Sequence, residues 1–396
     1  MRSSMVVKLP LEVYMKSFAL ITSHAPSLLN FRAPLIRALV ARGIQVWALA
    51  PNFDERSRAA VLAIGASPVD CPMDRTGMNP LRDAVNTWRM LLLLRRLQPD
   101  IVLGYFIKPV IFGSIAAFLA RVPMRIAMVE GLGFVFTSAG DKLSIKRRLL
   151  KYLVLVLYKT GLVCAHKVIF LNPDDRDELV AAGAVPQEKS FLLGGIGVEL
   201  EQWRLTPATV EPVTFLLVAR LLREKGIEEY ALAAYMVKQN HPDARFVLLG
   251  GLDDNPGALT ETDVQAWVSG GILEWHGHVS VQPWMALASV YVLPSYREGM
   301  PVSTQEAMAA GRAVITTDVP GCRQTVVDGV NGFLVPPRCP QALAEAMVRF
   351  IKQPELIRSM GESSLHMAQQ QFDVHKVNAR LMALLLDEDD MHETSL

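Results

Sequence analysis

The stretch Pro294-Ser-Tyr-Arg-Glu-Gly-Met-Pro-Val-Ser-Thr-Gln-Glu-Ala-Met-Ala-Ala-Gly311 runs from the end of an apolar strand, through a loop, into a helix. Val290 to Pro294 has the pattern of a short buried strand, Gly299 allows a tight turn, and Pro301 suits the first helical position, where a missing N–H costs nothing. Gly311 is placed to stop the helix, and Ala313 to Thr317 reads as the next strand. Two carboxylates, Glu298 and Glu306, stand eight positions apart across this junction, the first in the loop and the second inside the helix. Backbone N–H groups at the helix start, from residues such as Met300 and Val302, make an anion site. Two carboxylates beside an anion cradle suit a ligand with hydroxyls on both sides of a phosphate, the layout of a nucleotide-sugar.

Outward from this unit, strand-like runs alternate with helical ones in both halves, which argues for an α/β chain with parallel sheets covered by helices. The first half offers strands at Phe18 to Ser23, Gln45 to Pro51, Asp100 to Phe106, Arg125 to Glu130 and Lys167 to Asn172, with helices such as Ala33 to Arg42 and Pro80 to Leu97 between them. The second half offers Val213 to Leu221, Arg245 to Gly251, Ile272 to His276, Val290 to Pro294, Ala313 to Thr317 and Gly332 to Val335. A polar stretch with two prolines, residues 203–212, reads as a linker. Two Rossmann-like domains follow, 15–202 and 213–372, facing across a cleft where a ligand would lie beyond the carboxyl ends of the strands. Residues 1–14 read as an N-terminal extension, and 373–396 as a last helix with an acidic tail.

With 396 residues, 51% apolar and 20% charged, the chain is an ordinary globular one, large enough for two cores. A net charge of +1 gives no case for a nucleic-acid binder, which would need a strong basic excess. Cys71, Cys164, Cys322 and Cys339 are scattered without Cys-x-x-Cys spacing, so neither a zinc site nor a disulfide framework is expected. No run approaches the roughly 20 apolar residues that span a bilayer, and the start lacks a signal-peptide core. These features read as a cytoplasmic protein.

Glu298 to Glu306, inside Arg-Glu-Gly-Met-Pro-x5-Glu-Ala-Met-Ala-x-Gly, resembles the E-x7-E signature of retaining glycosyltransferases of family 4, which have the GT-B fold. Val218-Ala-Arg-Leu-Leu-Arg-Glu-Lys-Gly226 resembles that family's diphosphate-binding segment, and Asp318-Val-Pro-Gly321 and Asp328-Gly-Val-Asn-Gly-Phe-Leu-Val-Pro336 resemble its closing loops. In the first half, Leu28-Leu-Asn-Phe-Arg-Ala-Pro-Leu-Ile36, Glu130-Gly-Leu-Gly133 and Val168-Ile-Phe-Leu-Asn-Pro-Asp-Asp175 are similar to members that build bacterial surface polysaccharides. The resemblance implies transfer of a hexose or N-acetylhexosamine from a nucleotide-sugar, UDP-linked, to a polyprenyl-diphosphate-linked saccharide in O-antigen, capsule or glycan assembly. It also implies that the leaving phosphate helps remove the acceptor proton. A nucleotide-sugar epimerase or hydrolase of the same fold, and a binding scaffold without turnover, are the competing readings.

For individual residues, the resemblance implies that Glu306 bonds the ribose hydroxyls and that Glu298, with Gly299 beside it, lies near the reacting end of the donor sugar. Arg220 and Lys225 follow the first strand of the second domain, where two cations would neutralise a diphosphate; the alternative is a solvated loop. Glu130 stands where many relatives place an active-site histidine. It could bind acceptor hydroxyls, assist proton transfer, or simply cap the element that follows. His24, in a strand-to-helix loop without the family's usual glycines, reads as structural or acceptor-side. Arg32 reads as near the cleft or on the helix surface. His276 and His278, at the end of the third strand of the second domain, read as structural or as approaching the nucleotide base. Asp174-Asp175 and Asp253-Asp254 begin a helix and a loop, where side-chain capping accounts for them, and no Asp-x-Asp motif follows a strand. Neutralising the leaving diphosphate is therefore expected to fall to Arg220, Lys225 and helix N-termini, with no metal and no resident cofactor.

The stretch from Lys142 to Cys164 is the remaining unusual feature. On a helical projection Ser144, Arg147, Arg148, Lys151 and Tyr158 share one face, while Leu149, Leu150, Leu153, Val154, Val156 and Leu157 fill much of the rest. It reads either as a core helix with a solvated basic edge or as a segment, 142–158, that lies on an anionic membrane surface at the inner face of the cytoplasmic membrane.

Overall fold

Residues that alternate between two apolar cores form strands β1 (Ser17–Ile21), β2 (Gln45–Ala50), β3 (Ser67–Asp70), β4 (Ile101–Tyr105), β5 (Met124–Val129), β6 (Lys167–Phe170) and β7 (Ser190–Leu192) in a computed structural model of the chain. They make a seven-stranded sheet in the order β3-β2-β1-β4-β5-β6-β7. The second sheet holds β8 (Thr214–Val218), β9 (Arg245–Leu249), β10 (Glu274–Trp275), β11 (Val290–Leu293), β12 (Ala313–Thr317) and β13 (Gly332–Val335) in the order β10-β9-β8-β11-β12-β13. Neighbouring strands are parallel in both sheets, for instance β1 with β4 and β8 with β11. The structure describes residues 17–74, 77, 79–137, 145–203, 206–253, 255 and 257–386. Residues 1–14, Lys142, Ser144, Asp254 and the acidic run 387–390 lie outside these, as does the side chain of Arg147.

Crossovers in the first domain are α1 (Pro26–Phe31), α2 (Ala33–Ala41), α3 (Glu55–Ala63), α4 (Pro80–Leu97), α5 (Ser114–Leu119), α6 (Ile145–Leu162) and α7 (Pro173–Ala181). Those of the second are α8 (Ile227–Lys238), α9 (Glu261–Ser269), α10 (Gln282–Leu287) and α11 (Val302–Ala309), followed by α12 (Pro340–Lys352), α13 (Glu355–Met367) and α14 (Val374–Leu386). Because side chains alternate across a strand, Phe18 and Leu20 of β1 join one core with Leu35 and Leu39 of α2. Ala19 and Ile21 join a second core with Met90 and Leu94 of α4 and Ala116 of α5. α6 packs Val154, Tyr158 and Leu162 on Val129 and Phe170, on the far flank of the first sheet. Val377, Leu381 and Leu385 of α14 enter the core built by α2, so the end of the chain packs on the first domain.

Between the sheets, the connecting segment is pinned rather than free. The fully buried Arg312 donates to Thr206 Oγ1 at 2.5 Å and to the Met285 carbonyl at 2.8 Å, and Ser289 donates to the Thr209 carbonyl. Three local expectations shift. β3 and β7 are strands that the apolar pattern does not announce. Ile272 to His276 contracts to the two residues of β10. Pro301 is the N-cap of α11 rather than its first helical residue, since its ψ of 116° is extended although its φ of −67° would suit either place.

Candidate active site in the interdomain cleft

The carboxyl ends of the two sheets face each other, and polar residues in the loops beyond β5, β6 and β11 join them. Asn172, directly before α7, accepts from the Asp175 N–H at 2.8 Å as N-cap and donates to the Gly299 carbonyl of the other domain at 2.5 Å. The backbone there is so close that a Cβ on Gly299 would stand 1.7 Å from the Glu130 carbonyl oxygen. Arg297 crosses the same seam to Asp175, to Glu178 at 2.8 Å and to the Phe136 carbonyl at 2.9 Å. Arg323 and Gln324 each reach Asp174 at 2.7 Å. The expectation that Asp174 and Asp175 cap their helix is thus corrected: Asn172 is the cap, and both aspartates bind the opposite domain. Burial raises the Asp175 carboxyl, and the Arg297 guanidinium opposes that rise.

Inside this seam lies the acidic motif. Lys225 Nζ and Ser295 Oγ both donate to Glu298 Oε1 at 2.6 Å, and the Glu298 N–H donates to the Pro320 carbonyl at 3.0 Å. Glu298 is therefore not the partner of its neighbour Arg297. Lys225 reaches it because Gly226, at φ 71°, lets the start of α8 lie against Pro294, where a Cβ would stand 2.1 Å from the carbonyl oxygen. Arg220 leaves the end of β8 half-exposed and donates to Asp253 Oδ2 at 2.8 Å. Both cations named from the sequence thus border the cleft, but each already holds a carboxylate, so a diphosphate would exchange with Glu298 and Asp253. Asp253 also accepts from the Asn255 N–H at 3.0 Å.

Glu306 sits in the second turn of α11 with Tyr291 near both it and Glu298; the Tyr291 hydroxyl donates to Ser303 Oγ at 2.6 Å and is raised by burial, then by the two carboxylates. Burial lifts the Glu306 carboxyl to about 7. Met300 is buried, and Val302 opens the helix whose first-turn N–H groups have no carbonyl partner within it.

On the first domain Glu130 follows β5 and pairs with Arg32, a connection between residues 98 positions apart that no local pattern announces. Arg32, between α1 and α2, is 2% exposed, so it lies neither on the helix surface nor open in the cleft. Its guanidinium stacks 4.7 Å from the Tyr105 ring, also donates to Met128 S at 3.2 Å, and is lowered by burial to about 10. Tyr105 bonds Ser27 at 2.8 Å, and Ser27 donates to the His24 carbonyl at 2.6 Å, so His24 belongs to the loop that braces this pair. The His276 ring packs 4.0 Å from that of Trp284. Ser295, Asn172 and Arg297 are site residues the sequence reading did not single out, and Asp175 was read only as a cap; their only signal is position, polar groups shortly after buried strands.

This geometry places a cation–carboxylate pair, a neutralisable carboxyl and a helix start on one wall, opposite a braced carboxylate on the other. Residues 31–193 match the glycosyl transferase 4-like domain family and residues 212–353 the glycosyl transferases group 1 family. The chain is 28% identical over 326 residues to an N,N'-diacetylbacillosaminyl-diphospho-undecaprenol alpha-1,3-N-acetylgalactosaminyltransferase of Campylobacter jejuni, covering 78% of this chain and 83% of the relative. It is 33% identical over 309 residues to TuaC of Bacillus subtilis, named as a teichuronic acid biosynthesis glycosyltransferase, covering 73% of this chain and 70% of the relative. Among solved structures, Anabaena HepE in complex with UDP-glucose superposes with a TM-score of 0.71 at 17% identity, over 94% of this chain and all of that one (100%). With these matches over both halves and the two facing parallel sheets, the chain belongs to the group 1 glycosyltransferases, with a glycosyl transferase 4-like first domain and the GT-B fold.

Proposed function

We propose that the protein is a retaining glycosyltransferase that moves a hexose or N-acetylhexosamine from a UDP-linked donor to a lipid-linked saccharide in surface-polysaccharide assembly. The observation that carries this reading is the Lys225–Glu298–Ser295 cluster, held against Glu130 of the facing domain and followed by Glu306 in α11. The relative from Campylobacter jejuni is named for an acceptor on diphospho-undecaprenol, which supports the lipid-linked acceptor.

In this mechanism Glu306 accepts the ribose hydroxyls, while Lys225, Arg220 and the α11 N-terminus take the diphosphate. Glu298 steadies charge developing at the sugar. The bond from the anomeric carbon to the diphosphate breaks, and the acceptor oxygen bonds to that carbon on the same face. The acceptor proton passes to the leaving phosphate oxygen. Glu130, fixed by Arg32, orients acceptor hydroxyls. The neutralisation is metal-independent.

The test is mass spectrometry of reactions with a panel of UDP-sugars and a diphosphate-linked saccharide acceptor, with NMR of the product. A saccharide extended by one sugar, α-linked from an α-linked donor and formed in EDTA, is expected. A β linkage would overturn retention, and activity lost in EDTA and restored by Mg2+ would overturn metal independence. An altered or hydrolysed donor without any extended saccharide would identify an epimerase or hydrolase instead, and tight donor binding without turnover a scaffold.

A further inference from the structure

Helices that cover one side of the first sheet leave apolar side chains in solvent. On α4, Leu81, Val85, Trp88 and Leu92 recur every three to four residues, at 82%, 48%, 58% and 44% exposed. On α6, Ile145, Leu149, Tyr152 and Val156 repeat that spacing, at 85%, 67%, 66% and 42%. Phe118 and Leu119 of α5 are exposed between them, and α5 packs against both α4 and α6. Two stripes and a bridge thus put ten exposed apolar side chains on one side of the sheet, a clustering beyond the single scattered residues normal for a soluble face.

Charge decides what covers it. Arg89, Arg95 and Arg96 on α4, and Lys146, Arg148 and Lys159 on α6, are exposed around the stripes. The one acidic residue on these three helices, Asp83, is turned inward, 2.8 Å from Lys108. A second copy of this face would bring cations against cations. An anionic lipid leaflet satisfies both the apolar stripes and their basic fringe.

The sequence led to a different face of α6. Lys151 binds Glu178 at 2.6 Å and lies 5.0 Å from the Phe136 ring, and Tyr158 is buried, so these two members of the side named as basic turn into the domain, while Arg148 stays exposed. Of the aliphatic residues, Leu149, Leu153 and Val156 face out and Val154 faces in. Helices that connect parallel strands run back against them, so the first turns of α4 and α6, with Leu81 and Ile145, lie at the carboxyl end of the sheet, on the side of the cleft.

We propose that the α4–α5–α6 face docks on an anionic lipid leaflet and brings the rim of the cleft to the headgroups. Its purpose rests on the lipid-linked acceptor proposed above; the docking itself does not. The test uses the full chain with phosphatidylcholine vesicles, with and without phosphatidylglycerol. Co-sedimentation is expected with the anionic vesicles at low salt, weakening as salt rises. Trp88 emission should shift to the blue on binding, and Trp88→Phe should remove that shift. Leu149→Glu with Val85→Glu should lower partitioning by about tenfold or more, since each buries a charge among lipid tails. Both sites are already exposed, so melting by circular dichroism should be unchanged, and a water-soluble short-chain acceptor should still be glycosylated. Arg89→Glu with Lys159→Glu gives a second, charge-only variant with the same expectation. Wild-type protein that stays in the supernatant at low salt would overturn the proposal, as would partitioning unaffected by both double variants. A dimer that Leu149→Glu dissociates, with no vesicle binding by wild type, would assign the face to a second copy. Vesicle binding without transfer to any acceptor would overturn the proposed function and leave the docking surface standing.

Discussion

Lys225 donates to Glu298 at 2.6 Å, so its cation is already fixed in place for the diphosphate of the proposed donor. Preorganisation of that kind acts in the transition state. Lys225→Ala should therefore cost ~2–4 kcal/mol in kcat/KM, and Arg220→Ala less, because its guanidinium is half-exposed and screened by water. Glu298→Gln should lower kcat, whereas Glu306→Ala should mainly raise the donor KM, because ribose contacts are alike in ground and transition states. Steady-state kinetics on the variants separate the two; equal, near-wild-type constants for both would remove the assignment.

Glu306 also carries a pH signature. Its carboxyl is lifted by burial from 4.5 to about 7, so the folded chain keeps a proton in that window after the unfolded chain has released it. Stability should thus fall as pH rises from about 4.5 to 7, by up to ~3 kcal/mol, and Glu306→Gln should flatten that dependence in denaturant titrations. In the proposed binding mode ribose hydroxyls donate to the ionised form, so donor binding should release a proton near neutral pH and the donor KM should rise on acidification. Calorimetry in buffers of different ionisation enthalpy reads the proton directly. At this scale the acidic motif was legible because its members lie within one loop and helix. The Arg32–Glu130 pair was not, since nothing local links residues 98 positions apart.

Among the elements, α7 carries the densest polar seam. Asp175 is fully buried, and Arg297 is its cation. Arg297→Ala would strand that carboxyl and should destabilise the protein by ~3–5 kcal/mol, read as a lower midpoint in urea. Asp175→Asn in the same chain should recover part of the loss; simple additivity of the two changes would contradict a direct pair. Strands β12 and β13 were readable to the residue, since Ala313-Val-Ile-Thr-Thr317 and Gly332-Phe-Leu-Val335 stand out as short buried runs. β3 and β7 were not: both are sheet edges, one is Ser-Pro-Val-Asp and the other three residues long, with no run to see. α6 was visible as a helix but not in its orientation, since apolar residues surround its axis and only the packing of Val154, Tyr158 and Leu162 fixes which side is in.

For the whole molecule, the two sheets are held together at α7 by Asn172, Arg297, Arg323 and Gln324, and at the far side by α14 on the core of α2. Asp174→Asn with Arg323→Ala removes part of the first clamp without touching Glu298 or Glu306. The radius of gyration from small-angle scattering should increase in this variant and return towards wild type on adding nucleotide donor; an unchanged radius would place the restraint in α14 instead. The absence of a Cβ at Gly299, which lets the loop rest on the Glu130 carbonyl, has a chemical outcome as well as a mechanical one. A methyl group there is a shim that holds the jaws ajar by about its own width, and the gap is wide enough for water to compete with a sugar hydroxyl at the anomeric carbon. Gly299→Ala should therefore shift the partition of spent donor from extended saccharide towards free sugar, so that one missing carbon atom sets how faithfully the enzyme transfers rather than hydrolyses.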